Sequence, residues 1–269
     1  MSATVRGPGP GGIAAAGDLG PAGENAAPVA RATLAQVGME LRLLARRGEN
    51  LFVTIVVPLV LLVFFSVVPA VGQGGVTFVL PGILALAIIA TSLVNLGIST
   101  AFERSYGVLK RLGGSPLPRG GLIAAKMATV ALVEGGQVLL LVGVASAFFG
   151  WTPGPGASPA VCLAAFVLGT LAFSGLGLFL AGSLRAEATL AIANGLFLVL
   201  LLLGGVVLPV DHLPPVLADL ARVLPAAALS DALRIGLGGV AGDALGPLIV
   251  LALWAVATTV LTARTFRWE

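Results

Sequence analysis

FVLPGILALAIIATSLVNLGISTA, residues 78–101, runs for six to seven helical turns without a single charged side chain. At about 1.5 Å of rise per residue, roughly 20 such residues cross a hydrocarbon layer about 30 Å thick. Five more long apolar runs flank it: Leu51–Val71, Leu122–Phe149, Ala160–Ser183, Ala188–Leu208 and Ala244–Thr262. A soluble domain of 269 residues, 58% of them hydrophobic, could not cover six such segments with polar surface. Only 10% of residues are charged and the mean hydropathy is +1.06, against about 25% charged in an ordinary soluble domain. Backbone groups in lipid must pair internally, and barrel strands would be short and alternating, so these runs read as helices. The expected fold is an all-α membrane protein with six transmembrane helices.

Lys and Arg positions set the orientation. Arg31, Arg42, Arg46 and Arg47 precede the first run. Arg104, Lys110, Arg111 and Arg119 separate the second from the third, with Lys126 just inside the third. Arg185 lies between runs four and five, and Arg264 and Arg267 follow the sixth. The alternate gaps, Gly72–Thr77 and Gly150–Pro159, are uncharged, and Pro209–Asp243 holds four Asp against two Arg. Both termini are therefore expected in the cytoplasm. The net charge of +3 is then topological, and no nucleic-acid partner is expected. Arginine outnumbers lysine thirteen to two amid abundant Ala and Gly, which suggests a GC-rich bacterial genome and a bacterial plasma membrane.

Residues 1–30 are rich in Gly, Pro and Ala and are read as a disordered tail, with residues 31–269 forming the six-span domain. Met1–Asn50 holds no apolar core of a secretory signal. Arg31–Asn50 reads instead as an amphipathic interface helix. Leu34, Val37, Leu41 and Leu44 share one face, and Gln36, Glu40 and Arg47 lie opposite. It is either a topology anchor or a surface that also touches a cytoplasmic partner.

Between runs five and six, Val216, Leu220, Val223 and Leu224 form an apolar arc opposed by Asp219 and Arg222. Pro225 breaks that helix, and a second short helical stretch carrying Leu229 and Leu233 ends at Gly236. The prediction is an outer, re-entrant helical hairpin, serving either as an extracellular cap or as plain packing. The two halves of the chain differ in loop length and charge, so an inverted repeat gets no support.

Several chemistries are missing. Neither Lys110 nor Lys126 follows a glycine, so no P-loop lysine is present. His212 stands alone, without the second histidine of a zinc protease motif. Cys162 is the sole cysteine, which excludes an internal disulfide and a cysteine metal cluster. No catalytic residues and no metal site are predicted.

The densest polar stretch is Phe102–Gly121. Glu103 to Leu112 can form a short helix with Val108, Leu109 and Leu112 inward and Arg104, Lys110 and Arg111 mostly outward. Gly113, Gly114 and Pro116 stop it. A short charged helix hinged at one end has the form of a lever, although a positive-inside anchor would look similar.

In this stretch the chain resembles the permease subunits of type-2 ABC exporters, a group that includes daunorubicin-resistance-type drug exporters and polysaccharide or lipid exporters. Glu103, Gly107, Leu109, Lys110, Arg111, Leu112, Pro116, Leu117, Pro118 and Arg119 fit the family pattern of the loop. Leu213, Pro214, Pro225, Asp231, Ala232, Leu233, Arg234 and Gly238 fit its outer segment. The resemblance extends over about residues 31–265. It implies a dimer of permeases, of one chain or of two paralogues, each docked on a separate ABC ATPase. No cofactor is bound directly, and ATP acts through the partner. The Arg31–Asn50 helix, with Arg42, Arg46 and Arg47, and the Glu103–Arg119 loop would form the contact surface. Glu103 and Arg104 would orient the coupling helix, while Lys110, Arg111 and Arg119 meet acidic residues or lipid phosphates, with Gly107 and Pro116 belonging to the same ATPase-coupling loop. Pro214, Pro225, Asp231 and Arg234 would build the outer hairpin.

Glu134 is the one acidic residue near the middle of a run, and Gln137 follows on the same face. A carboxylate at that depth is costly unless protonated, paired or wet. The pair is read as a contact on the export path or dimer seam, or as interhelical packing. Asn95 and Asn194 read as interhelical glue, and Gly169, Gly175, Gly177 and Gly182 as sites of close helix contact. The expected function is export of a hydrophobic or amphipathic compound (drug, lipid or glycan-lipid) by a permease powered from outside its own chain. The alternative is a stand-alone ion-coupled carrier or channel.

Overall fold

The computed structural model describes residues 29–46, 48–68, 75–113, 118–205 and 214–265. The expectations for the tail up to residue 28, and for Arg47, Pro116 and His212, lie outside the described residues, as do the side chains of Arg111, Leu112 and Arg119. Every regular element among the described residues is helical. In chain order they are α1 (Val29–Arg46), α2 (Gly48–Val67), α3 (Gly75–Ile89), α4 (Leu96–Ser105), α5 (Val108–Gly113), α6 (Arg119–Phe149), α7 (Pro159–Ser183), α8 (Ala186–Leu203), α9 (Pro215–Val223), α10 (Pro225–Gly236) and α11 (Leu245–Thr265). A π-helical segment, Ala90–Asn95, joins α3 to α4 without a break.

Five helices among the described residues are long and apolar enough to cross a membrane: Gly75–Ser105, Gly120–Phe149, Pro159–Ser183, Ala186–Leu203 and Leu245–Thr265. They match runs two to six. The described apolar part of α2, Phe52–Val67, is shorter.

The α3–α4 span is the core helix: every residue from Val79 to Ile89 is buried. α7 lies beside it and packs most extensively against α11. Small residues let these backbones approach. A Cβ at Gly175 would stand 2.5 Å from the Thr258 hydroxyl, and one at Gly177 would stand 2.8 Å from the Leu93 carbonyl. In the space so created, Thr258 Oγ1 donates to Ala172 O at 3.0 Å and Thr262 Oγ1 to Gly175 O at 2.7 Å. Gly169 likewise makes room for Leu229 of α10. Asn95 does bridge helices, donating to Thr54 Oγ1 at 2.9 Å. Asn194 does not: exposed on α8, it bonds Leu190 O of its own turn at 2.8 Å.

The two short helices expected between runs five and six are present as α9 and α10, broken at Pro225 and with Pro214 at the N-cap of the first. Its first helix is turned opposite to a soluble amphipathic helix. Val216, Leu220 and Val223 are exposed, and the small Ala218 and Ala221 face inward. Alanines permit close contact with the bundle, which leaves the bulky arc outside. α10 is almost wholly buried against α3, α7 and α11. Arg234 secures it, donating to Gly205 O beyond α8 and to Asp231 Oδ1 at 3.4 Å, with its guanidinium 4.7 Å from the centre of the Phe78 ring. Burial pushes this guanidinium below its ordinary range, and Asp231 partly opposes that shift.

Candidate functional site

α6 carries the site. Lys126, Val130, Val133, Glu134 and Gln137 recur at helical spacing, so they share one face turned toward α1, α2 and the α3–α4 span.

The lower end of that face holds an ionic node. Lys126 is 2% exposed, yet its Nζ lies 2.7 Å from Glu103 Oε2 on α4 and 3.1 Å from Glu40 Oε1 on α1. Gln36 Nε2 adds a hydrogen bond to Glu40 Oε1 at 3.1 Å. Three helices that are remote in sequence therefore meet at one ammonium. Sequence reasoning placed Gln36 and Glu40 on the solvent side of the interface helix. Here Gln36 is buried and Glu40 half-buried, because Lys126 draws that side of α1 onto α6. Leu34, expected on the apolar face, is instead 70% exposed. The signal overlooked was Lys126 itself: a lysine inside an apolar run requires a carboxylate partner.

Arg104 was expected to point outward. It turns instead toward the end of α7, donating to Gly182 O at 2.6 Å and also to Leu184 O. Helix C-termini leave carbonyls without partners, and a guanidinium fork fits two of them at once. Val108, expected inward, is 40% exposed, while Leu109 is buried as predicted. Gly107 takes φ +71°, the left-handed conformation that lets the chain turn from α4 into α5. Lys110, Arg42 and Arg46 are exposed. Glu103 and Arg104 thus brace the base of α4 against α1, α6 and α7, and α5 hangs from that base.

The upper node holds one carboxyl and no basic side chain among its partners. Glu134, 1% exposed, accepts hydrogen bonds from Thr170 Oγ1 of α7 at 2.5 Å and from Ser92 Oγ. Gln137 accepts from Thr91 Oγ1 at 3.1 Å and donates to the Thr54 carbonyl at 2.7 Å. That carbonyl is available because Pro58, four residues on, has no N–H to give it. The wider turn of the π segment presents Thr91, Ser92 and Asn95 together, and such π-bulges often mark functional positions. Neither Glu134 nor Gln137 reaches the outer surface of the chain.

Between the two nodes lies a cavity of 440 Å³. Glu40, Glu103 and Lys126 line one end, Thr54, Thr91 and Asn95 the other, with Leu43, Leu96, Val130 and Val133 between. No group of three or more His, Cys, Asp or Glu capable of holding a metal occurs among the described residues.

An apolar helical bundle with an internal polar face and a cavity opening beside an amphipathic helix belongs to the class of multi-pass membrane transport proteins. The family model of the ABC-2 type transporter matches residues 33–237, more than half of the chain, and the chain belongs to that family. It is a transporter permease family and not a catalytic one. No curated protein matches the chain.

Proposed function

We propose that this chain is the permease subunit of an ATP-driven exporter, working as a dimer in a bacterial plasma membrane with a separate ABC ATPase. It crosses the membrane six times, α2 being the first span, with both termini in the cytoplasm. The observation that carries the reading is the ionic node. Lys126 joins α1 to the base of α4, immediately before the basic α5 loop. Force applied by a cytoplasmic partner to α1 or α5 reaches α6 through that node, and α6 leads to the cavity and to Glu134.

In this reading the ATPase contacts α1 through Arg42, Arg46 and Arg47, and the loop through Lys110, Arg111, Pro116 and Arg119. Reversing charge in an Arg111→Glu, Arg119→Glu double variant is expected to abolish ATP-dependent transport in vesicles while leaving the amount of membrane-inserted permease unchanged. Transport at the wild-type rate in that variant would overturn the coupling assignment. The broader test is co-purification with an ATPase subunit and vesicle transport measured with and without ATP. Full-speed transport by the permease alone, without nucleotide, would favour the ion-coupled carrier instead.

A further inference from the structure

We infer that the 440 Å³ cavity between α1, α2, α4 and α6 is a loading site for a small amphipathic organic cation. The inference rests on the exporter reading for its biological sense, but its geometry is independent of it. The volume falls within the range of roughly 300–1,000 Å³ typical of small-molecule sites. A polysaccharide or a two-chain lipid would not fit inside it, so the cavity favours the small-compound class.

Charge selects the sign. Among the described residues, the acidic and basic side chains that line the cavity are Glu40, Glu103 and Lys126, two carboxylates against one ammonium. Lys126 uses Glu40 Oε1 and Glu103 Oε2. Among the described residues, the other oxygen of each carboxylate accepts no hydrogen bond. An anion would have to enter beside two carboxylates. A cation would restore neutrality and take up those free oxygens, a gain that grows as water is excluded. Phe102 and Tyr106 also line the cavity, their ring centres 6.0 Å apart, and aromatic rings attract an onium group. The apolar body of such a compound would lie on Leu43, Leu96, Val130 and Val133. At the far end Asn95 and Thr91 offer polar contacts, and Thr91 touches Gln137 directly. A compound held here would already abut the mid-membrane polar network.

The test uses the full chain in lipid nanodiscs, without nucleotide or ATPase. Tetraphenylphosphonium and the isosteric anion tetraphenylborate serve as probes, read by equilibrium dialysis with empty-disc binding subtracted. The phosphonium is expected to bind saturably, one per chain, and at least about tenfold more tightly than the borate. Glu103→Gln should weaken it about tenfold, since one of the two carboxylate charges is lost. Val133→Phe and Leu43→Trp fill the apolar wall and should each abolish saturable binding. If Val133→Phe does not elute as a folded species, Leu43→Trp on the half-exposed α1 surface carries the test. Equal retention of the borate, non-saturable uptake, or wild-type phosphonium binding in a folded cavity-filling variant would overturn the site. Absent binding beside intact ATP-driven transport sinks this site alone, whereas failed transport beside intact binding sinks the exporter reading alone.

Discussion

Two polar nodes sit on one face of α6, eight residues and about 12 Å of helix rise apart, and they solve the same problem differently. At Lys126 a buried charge is met by opposite charges from two other helices. At Glu134 a buried carboxyl is met only by neutral hydroxyls, Ser92 and Thr170. The difference follows from depth. Near the end of the bundle, the carboxylates on α1 and α4 remain partly exposed, 15% and 20%, while reaching inward. At mid-span a charged partner would carry its own desolvation cost, so short hydroxyl side chains on closely packed helices supply the partners. The lesson is that charge binds helices together at the edge of this protein, and hydroxyls do so in its interior.

The largest expected effect tests the charged node. Lys126→Met strands Glu40 and Glu103 beside each other and should destabilise the fold by about 3–5 kcal/mol, read by denaturant titration of the purified protein. Removing both carboxylates as well, in Glu40→Gln, Lys126→Met, Glu103→Gln, should recover most of that loss, since neutral partners leave no orphan charge. A triple variant as unstable as the single one would show that volume rather than charge holds this corner.

Glu134→Ala ranks next. It leaves the Ser92 and Thr170 hydroxyls without an acceptor and should cost about 1–3 kcal/mol in the same titration. Glu134→Gln keeps an acceptor and should cost less than Glu134→Ala. If Glu134→Ala proves more damaging than Lys126→Met, the contrast between the nodes is wrong. For function, export at the wild-type rate by Glu134→Leu would confine this residue to packing.

The smallest effect is expected at single hydroxyls. Ser92→Ala should cost about 0.5–1.5 kcal/mol, because Glu134 keeps its bond to Thr170. A larger loss measured by thermal unfolding would mean that the π segment depends on that contact for its register.

Much of this arrangement was legible from residues alone. The apolar runs gave the helices, Pro225 marked the break between α9 and α10, and Gly169, Gly175 and Gly177 marked helix crossings that the structure contains. Glu134 and Gln137 stood out as polar groups sharing one helical face. Their partners did not. Thr170 is 36 residues away from Glu134, and Glu40 is 86 residues away from Lys126. No local pattern encodes which distant hydroxyl or carboxylate will arrive. Arg104 was misread for the same reason: its acceptors are carbonyls at the end of α7, and a backbone carbonyl leaves no mark in composition. One contact could have been anticipated, because Pro58 frees the Thr54 carbonyl wherever a helix carries proline four residues on. The apolar arc of α9 was legible, but that it turns away from the bundle while Ala218 and Ala221 pack inward is a tertiary result.

Hydrophobic run length and proline positions by themselves determined that this chain is a bundle of apolar helices, since those properties depend only on near neighbours and on the solvent that each segment prefers. Which polar side chains meet, where the cavity opens and which way α1 and α9 face were decided only by the tertiary structure. Those outcomes depend on how closely small residues let the helices approach, and on the need of each buried polar group to find a partner on another helix.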